Sequence, residues 1–165
     1  MKKIGLISDT HGHWDDKFEE HFKDCYEVWH AGDIGSMKLA SKFEEMKPFR
    51  AVYGNIDDFK VRLAYPEILK FEIEKVDIIM THIGGYPGKY APSIFPKLKA
   101  KRPKLFIAGH SHILKVMYDE KIGTLHMNPG AAGLYGFHKV RTLLRFVLDN
   151  GNIRDLEVIE LGTRG

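Results

Sequence analysis

Seven side chains of the types that bind metal ions follow apolar stretches along this chain, and most of them lie beside a glycine. They occur in five short segments with the sequences SDTHG, HAGD, YGN, THIGG and AGHSH. The seven residues are Asp9, His11, Asp33, Asn55, His82, His110 and His112. Because neighbouring strands bring side chains from distant parts of a sequence to one edge of a sheet, this pattern predicts a single metal site built from strand-end loops.

The donor types indicate which metals the site would hold. Carboxylate, imidazole and amide groups form a mixed oxygen and nitrogen set that suits Mn, Ni, Fe, Co or Zn, with Mn or Ni favoured. The chain has a single cysteine, which excludes a cysteine-rich structural zinc motif. Seven ligands are too many for one tetrahedral ion, so we expect two divalent ions that share a carboxylate, roughly 3.5–4 Å apart.

Such a pair of ions would create a nucleophile and a positively charged pocket. Two divalent ions carry four positive charges, whereas Asp9, Asp33 and a bridging hydroxide offset only three. The ions would also lower the pKa of bridging water from about 15.7 toward roughly 7. A phosphate ester could then be attacked in line by a metal-bridging hydroxide, without a covalent phospho-enzyme.

Size and composition predict one globular domain over residues 1–165. The chain has 44% hydrophobic residues, which suffice for one core without disulfides. Cys25 precedes an apolar stretch and is expected to be a buried thiol in a reducing, cytoplasmic location. The apolar stretch at residues 4–7 is too short for a signal peptide or a membrane span, so no membrane partner is expected.

The charge distribution gives no strong nucleic-acid signal. The formal net charge is only +3, with 25 basic residues mixed among 22 acidic ones. One basic cluster is the exception, and a solvated face is its favoured interpretation. Its members are Lys97, Lys99, Lys101, Arg102 and Lys104.

Hydrophobic periodicity predicts an α/β fold. In the first half, strands at residues 4–7, 26–29 and 49–53 alternate with helices at 14–24 and 36–46. Ser36 is a plausible N-cap of the second helix. The second half has strands at 68–73, 76–80 and 105–108, one helix at 93–101, and only strands after residue 114, with a tight Asn150–Gly151 turn. This order suggests two sheets face to face with helices outside.

The motifs DxH, GD, GN, a lone His and GHxH, in this order over residues 8–112, resemble the calcineurin-like metallophosphoesterase superfamily. The sequence NPG at 128–130 resembles an element of its small YfcE-like phosphodiesterase branch. The resemblance implies a four-layer α/β/β/α sandwich of two mixed sheets flanked by helices. It also implies that Asp33 bridges the ions. The implied ligands are Asp9, His11 and His112 for the first ion and Asn55, His82 and His110 for the second.

The chain departs from this family pattern at two positions. Phosphomonoesterase members often carry a His directly after the Asn of GN, where it can protonate the leaving group, but this chain has Ile56. Without that acid, aryl or otherwise stabilised leaving groups should react best, which favours phosphodiesters. Ala131 follows NPG, where the branch commonly has Ser. We expect Asp33, Asn55 and His82 to act in catalysis.

Several other residues admit a functional and a structural interpretation. His13 either contacts the substrate and its leaving group or is a solvated loop residue. Asp57 and Asp58 either orient Asn55, or act on a metal from behind its direct ligands, or, as we favour, cap a helix. His30 is expected to bond locally, with a role toward Asp33 as the alternative. His126 precedes the NPG turn and could approach the metals. No function is expected for His21 and His138. Tyr86 and Tyr90 either form walls of the substrate pocket or pack within their loop.

The sequence therefore predicts a dinuclear metal-dependent phosphodiesterase that acts on a small phosphate ester. One alternative is a phosphomonoesterase or nucleotidase with the same site. The other is a catalytically silent protein-binding scaffold, like the retromer subunit that resembles this branch, although its ligand set would be expected to be incomplete. Apolar residues near Phe95, Phe137 or the terminal hairpin could form a homodimer interface.

Overall fold

A computed structural model describes residues 1–165, which form two five-stranded sheets, a two-stranded hairpin and four helices. The strands are β1 (Lys2–Ile7), β2 (Glu27–His30), β3 (Phe49–Ala51), β4 (Ile68–Ile73), β5 (Val76–Thr81), β6 (Gly85–Tyr86), β7 (Lys89–Tyr90), β8 (Leu105–Ile107), β9 (Leu114–Asp119), β10 (Thr124–Pro129), β11 (Val140–Asp149) and β12 (Asn152–Thr163). The helices are α1 (Asp16–Phe22), α2 (Met37–Met46), α3 (Phe59–Ala64) and α4 (Phe95–Lys101).

Both large sheets are mixed. The first has the strand order β12-β11-β1-β2-β3, in which β1, β2 and β3 run parallel and β11 pairs antiparallel with β1 and β12. The second has the order β4-β5-β8-β10-β9, in which β5, β8 and β10 run parallel and the two edge strands are antiparallel to their neighbours. Two sets of parallel strands therefore each present their carboxyl ends at one edge.

The layers follow from three hydrophobic clusters. A cluster that includes Ile4, Trp29, Met80 and Phe146 joins the inner faces of the two sheets. Phe18 of α1, together with residues of α2 and α3, covers the outer face of the first sheet. Residues of α4 cover part of the outer face of the second sheet. This arrangement confirms the predicted four-layer sandwich of two mixed sheets flanked by helices.

Local signals explain where helices begin. The Ser36 hydroxyl accepts from the backbone N–H of Leu39, which confirms the predicted cap of α2. The first helix begins at Asp16 rather than at the predicted residue 14, because Asp15 caps it by accepting from the Lys17 N–H. The helix predicted for 93–101 likewise begins later, at Phe95, after Ile94 as a cap residue without a side-chain bond.

The end of the chain is the predicted hairpin. Asn150 and Gly151 both have positive φ, 47° and 90°, as a two-residue turn between twisted strands requires. The small hairpin β6–β7 was not predicted, and β3 ends at Ala51 rather than at residue 53. None of the four helices has the length and the apolar character that crossing a membrane requires.

Candidate metal centre

The seven predicted ligands lie in loops that follow parallel strands. Asp9 follows β1, Asp33 follows β2, and Asn55 follows β3 in the first sheet. His82 follows β5, and the two histidines of GHSH follow β8 in the second sheet. Backbone hydrogen bonds tie the loops together, with the Asp9 N–H donating to Gly32 O at 3.0 Å and the Gly109 N–H donating to His82 O at 2.9 Å. Strand order alone thus brings residues more than 100 positions apart to one edge.

Six of the seven residues form two triads. In each triad, one potential ligand atom of each residue lies within 4.8 Å of those of the other two. The triads are Asp9, His11 and His112, and Asp33, His82 and His110. Asn55 joins the second triad, because its Oδ1 lies 3.0 Å from His110 Nδ1.

The two carboxylates face both triads. Asp33 Oδ2 lies 3.4 Å from His11 Nε2 of the first triad and 3.1 Å from His82 Nε2 of the second. Asp9 Oδ1 lies 3.1 Å from His112 Nε2 and 3.7 Å from His82 Nε2. Asp33 is therefore placed between the two donor sets, as a bridging ligand must be.

Neighbouring groups fix the orientation of these side chains. Asp9 Oδ2 accepts from the Ser8 hydroxyl at 2.6 Å and from the His110 N–H at 3.1 Å, which leaves Oδ1 for the centre. Asp33 Oδ1 accepts from the Ile56 N–H at 3.0 Å, which leaves Oδ2. His82 Nδ1 donates to Ala31 O at 2.7 Å, so its Nε2 carries the free lone pair.

Three buried atoms at the centre have no hydrogen-bond partner. They are Asp9 Oδ1, His11 Nε2 and His82 Nε2. Buried polar atoms in native proteins are nearly always satisfied, so each exception requires an explanation. Each of the three atoms lies near a carboxylate or imidazole of the triad to which it does not belong. All three are good ligands for divalent ions. The residues present therefore fit the divalent metal ions that the donor types predict.

Backbone strain is concentrated at the same residues. Asp9, His11, Asp33, His110 and His112 all have φ between 45° and 71°. Non-glycine residues in this left-handed region cost about 1–3 kcal/mol each and persist only where the surrounding structure holds them. Five of the seven candidate ligands share this conformation, which indicates that the loops are shaped for the site and not for stability.

Mutual attraction keeps the carboxylates ionised and favours charge on His11. Burial alone would raise the pKa of Asp9, but its contacts with His11 and His112 outweigh burial and hold the pKa below its ordinary value. Contacts with His11 and His82 likewise outweigh burial and hold the pKa of Asp33 below its ordinary value. The carboxylates of Asp33 and Asp9 raise the pKa of His11 to about 9. Because the two carboxylates concentrate negative charge, they favour protonation of the neighbouring histidine when no cation is bound.

A buried aspartate connects two ligand loops. Asp57 is 3% exposed and accepts three backbone N–H groups: those of Gly54 at 2.8 Å, Ile34 at 3.2 Å and Gly35 at 2.8 Å. It therefore ties the loop after Asp33 to the turn before Asn55. The favoured interpretation of both aspartates as helix caps was wrong for Asp57 and is confirmed for Asp58, which accepts from the Val61 N–H.

Asn128 of the NPG sequence organises the GHSH loop. Its Nδ2 donates to Gly109 O at 3.0 Å and to Ser111 Oγ at 3.1 Å, and its Oδ1 accepts from the Gly130 N–H at 2.9 Å. These bonds fix the backbone on both sides of His110. The NPG sequence thus acts on the site through the loop.

The centre opens into a cavity of about 590 Å³ that is also lined by His138 and by Tyr135, which the sequence did not single out. Tyr135 stacks on the His11 ring at 5.1 Å between ring centroids, and the His138 ring lies 5.1 Å from that of His112. His138 Nε2 donates to Gly133 O at 2.8 Å, and its buried Nδ1 has no partner. His138 therefore borders a candidate ligand, and the expectation that it has no function stays a prediction.

Two other predicted histidines lie elsewhere. His13 is not among the residues that line this cavity, and the charges that act on it are those of Arg141 and Asp15. His30 is fully buried and bonds locally, as expected, because its Nδ1 accepts from the Gly32 N–H and its Nε2 contacts Thr10 Oγ1. Cys25 is the predicted buried thiol, and burial raises its pKa to about 11.

The four layers, the two mixed sheets and the candidate ligands at the carboxyl ends of the strands are those of a metallophosphoesterase fold. A family profile described as the calcineurin-like phosphoesterase superfamily domain matches residues 1–151, so the chain belongs to this superfamily. The family implies divalent metal ions, for which the two triads are the candidate ligands.

Individual relatives are similar in sequence, and solved structures share the fold. A phosphodiesterase of Methanocaldococcus jannaschii is 28% identical, with 78% of this chain and 82% of the relative covered. The structure of a novel archaeal phosphodiesterase has a TM-score of 0.72 at 23% identity, covering 95% of this chain and 99% of that one. Vps29 of Entamoeba histolytica, solved with zinc, has a TM-score of 0.71 at 15% identity, covering 96% and 98%.

Proposed function

We propose that this protein is a dinuclear metal-dependent phosphodiesterase that hydrolyses phosphate diesters by in-line attack of water at phosphorus. The observation that carries this proposal is the position of Asp33 Oδ2, which lies 3.4 Å from His11 Nε2 and 3.1 Å from His82 Nε2. One carboxylate oxygen shared by two donor sets is the arrangement that a pair of ions requires.

The proposed ligands divide as the triads do. Two divalent ions would supply Lewis-acid polarisation of the phosphoryl oxygens and water of lowered pKa. Asp9, His11 and His112 would hold one ion, His82, His110 and Asn55 the other, and Asp33 both. Mn or Ni is the expected metal, since neutral imidazole and carboxylate donors without thiolates suit these ions.

The remaining side chains would orient the substrate. Asn55 is exposed beside His110 and offers its amide to a phosphoryl oxygen. Tyr135 restrains the ring of His11 by stacking on it. The role predicted for His13 at the leaving group stays a proposal, which its position outside the cavity lining weakens.

The wall of the cavity favours diesters over monoesters. Ile56 lines it at the position after Asn55, and the exposed side chains of Ile113, Tyr135 and Phe137 also line it. Ile56 provides no proton for an alkoxide leaving group, so stabilised leaving groups are expected. The apolar wall would accommodate the second organic group that a diester has and a monoester lacks.

The test compares bis-p-nitrophenyl phosphate with p-nitrophenyl phosphate under added Mn²⁺ or Ni²⁺. We expect higher kcat/KM for the diester, and a loss of at least about 100-fold in Asp33→Asn, because removing a shared ligand should cost at least as much as losing an outer partner of a ligand. Asp16→Asn, an exposed aspartate of α1, is the matched control. Faster turnover of the monoester would favour the monoesterase alternative.

A protein-binding scaffold is the second candidate, because Vps29 proteins share this fold. The two triads argue against a silent site, since each is complete. Inactivity of the wild-type protein toward both esters with every metal, combined with a stable protein partner, would support the scaffold instead.

A further inference from the structure

A second cavity adjoins the candidate metal centre on the outer face of the second sheet. It has a volume of about 280 Å³ and shares His110, Ser111 and Ile113 with the cavity of the metal centre. The hairpin β6–β7 forms one of its walls, and β10 contributes His126. A group attached to a phosphate at the metal centre would therefore meet this cavity across the GHSH loop.

His126 has an unsatisfied acceptor. The side chain is 1% exposed, and its Nδ1 lies 3.2 Å from Phe106 O, to which it donates. The lone pair is therefore on Nε2, which is buried and has no hydrogen-bond partner. Burial also lowers the pKa of His126 to about 4, which keeps the ring neutral. An unpaired buried acceptor is unfavourable, so a donor from a ligand would be stabilising there.

The walls of the cavity are apolar, and its charged residues are all basic. Ile83, Tyr86, Pro92 and Ile113 are among the lining residues, which include no acidic side chain. Lys89 and Lys115 line it without an ion pair, and the Lys115 ammonium lies 4.3 Å from the centroid of the Tyr86 ring. Such a surface disfavours a cationic ligand, and its apolar side chains suit contact with a ring.

Ser111 supplies one further polar group. Its Oγ accepts from the Ile113 N–H and from Asn128 Nδ2, both at 3.1 Å, so the hydroxyl hydrogen is free to donate. A ligand that carries both a donor for His126 and an acceptor for Ser111 would satisfy the two groups. The cavity is slightly smaller than the roughly 300–1,000 Å³ of sites for drug-sized ligands, which indicates one ring system.

We propose that this cavity binds one organic arm of the phosphodiester, a neutral planar ring whose N–H donates to His126 Nε2. The inference rests on the proposed function for the connection to the phosphate, but the ring site itself depends only on the geometry around His126. A nucleobase such as thymine, with one ring N–H between two carbonyl groups, has the required chemistry.

Binding of thymidine tests the site without turnover. In protein labelled with ¹⁵N in its histidines, thymidine should shift the Nε2 resonance of His126, assigned from its absence in His126→Gln, and leave that of His21 unchanged. Thymidine methylated at its ring N–H lacks the donor and should produce no comparable shift. An equal shift with both nucleosides, or none with thymidine, would overturn the proposal.

Kinetics tests the connection to the metal centre. The p-nitrophenyl ester of thymidine 5′-phosphate carries the ring, and bis-p-nitrophenyl phosphate does not. In His126→Phe, the ratio of kcat/KM for the first ester to that for the second should fall about tenfold, equivalent to about 1.4 kcal/mol. His126→Gln, which keeps an acceptor, should restore part of the ratio, and His21→Phe is the matched control. Melting curves verify that each variant is folded.

The outcomes separate the two proposals. No turnover of either ester together with a thymidine-specific shift of His126 would refute the proposed function and leave the ring site standing. Turnover of both esters with an unchanged ratio in folded His126→Phe would refute the proposed contribution of the ring site to substrate selection. If His126→Phe does not fold, the ring site is tested by the binding of thymidine and of its methylated form to the wild-type protein.

Discussion

Asp57 provides a test of how the ligand loops are held. Its carboxylate accepts three backbone N–H groups at 2.8, 3.2 and 2.8 Å and is almost fully buried. Hydrogen bonds to a charged group contribute about 1.5–3 kcal/mol each. In Asp57→Asn, one oxygen is replaced by an amide that faces a backbone donor, and the other bonds lose charge assistance. We expect the free energy of unfolding to fall by about 3 kcal/mol.

The same substitution should weaken metal binding. The N–H groups that Asp57 fixes belong to Ile34, next to Asp33, and to Gly54, next to Asn55. Because loss of an outer partner typically costs 10–100-fold in metal affinity, Mn²⁺ affinity of Asp57→Asn should fall within that range. Urea unfolding with a chelator measures the first effect, and titration with Mn²⁺ measures the second.

Asp58 is the matched control because it is adjacent and caps α3. Asparagine caps helices about as well as aspartate, so Asp58→Asn should change stability by less than about 1 kcal/mol and leave Mn²⁺ affinity unchanged. Equal effects of the two substitutions, or wild-type Mn²⁺ affinity in folded Asp57→Asn, would refute the idea that Asp57 holds the ligand loops.

Two further predictions concern buried polar groups outside the ligands. His126 has a pKa lowered to about 4 in the folded protein against an ordinary value of 6.5, so its neutral form stabilises the fold above pH 6.5 and this contribution is lost as the pH falls toward 4. We expect the free energy of unfolding, measured by urea in the presence of a chelator, to fall between pH 6 and 4.5 more steeply in the wild type than in His126→Gln. The difference in slope should be about 1.4 kcal/mol per pH unit. Equal slopes for the two proteins would contradict this prediction. Asn128→Ala removes three hydrogen bonds. It should lower the free energy of unfolding by about 3 kcal/mol and weaken Mn²⁺ binding. An unchanged urea midpoint would show that the NPG sequence does not hold the GHSH loop in place.

The sequence was informative about the fold because its strands carry strong local signals. A short apolar run flanked by polar residues indicated β1, apolar runs that end in Gly and a polar residue indicated β2 and β8, and Asn150–Gly151 indicated the last hairpin. The β6–β7 hairpin is two residues per strand, too short for any periodicity. Predicted boundaries were wrong where a capping residue such as Asp15 determined where the helix began.

The candidate site, like the fold, could be predicted from the sequence only in part. Its ligand types and their order could be predicted, because each lies beside a strand end. Tyr135 and His138 lie in a loop without a recognisable motif, and their positions depend on tertiary bonds such as that from the Gly133 N–H to Asp9 O. Asp57 and Asp58 are neighbours of identical chemistry, and only the three-dimensional contacts distinguish the brace from the cap.

The number of ions per chain tests the central claim most directly. Protein loaded with Mn²⁺, passed through a desalting column and analysed for metal content should contain two ions per chain, and Asp33→Asn should contain at most one. The Asp16→Asn control should retain two. One ion or none in the wild-type protein, or two in Asp33→Asn at unchanged affinity, would contradict a shared-carboxylate centre.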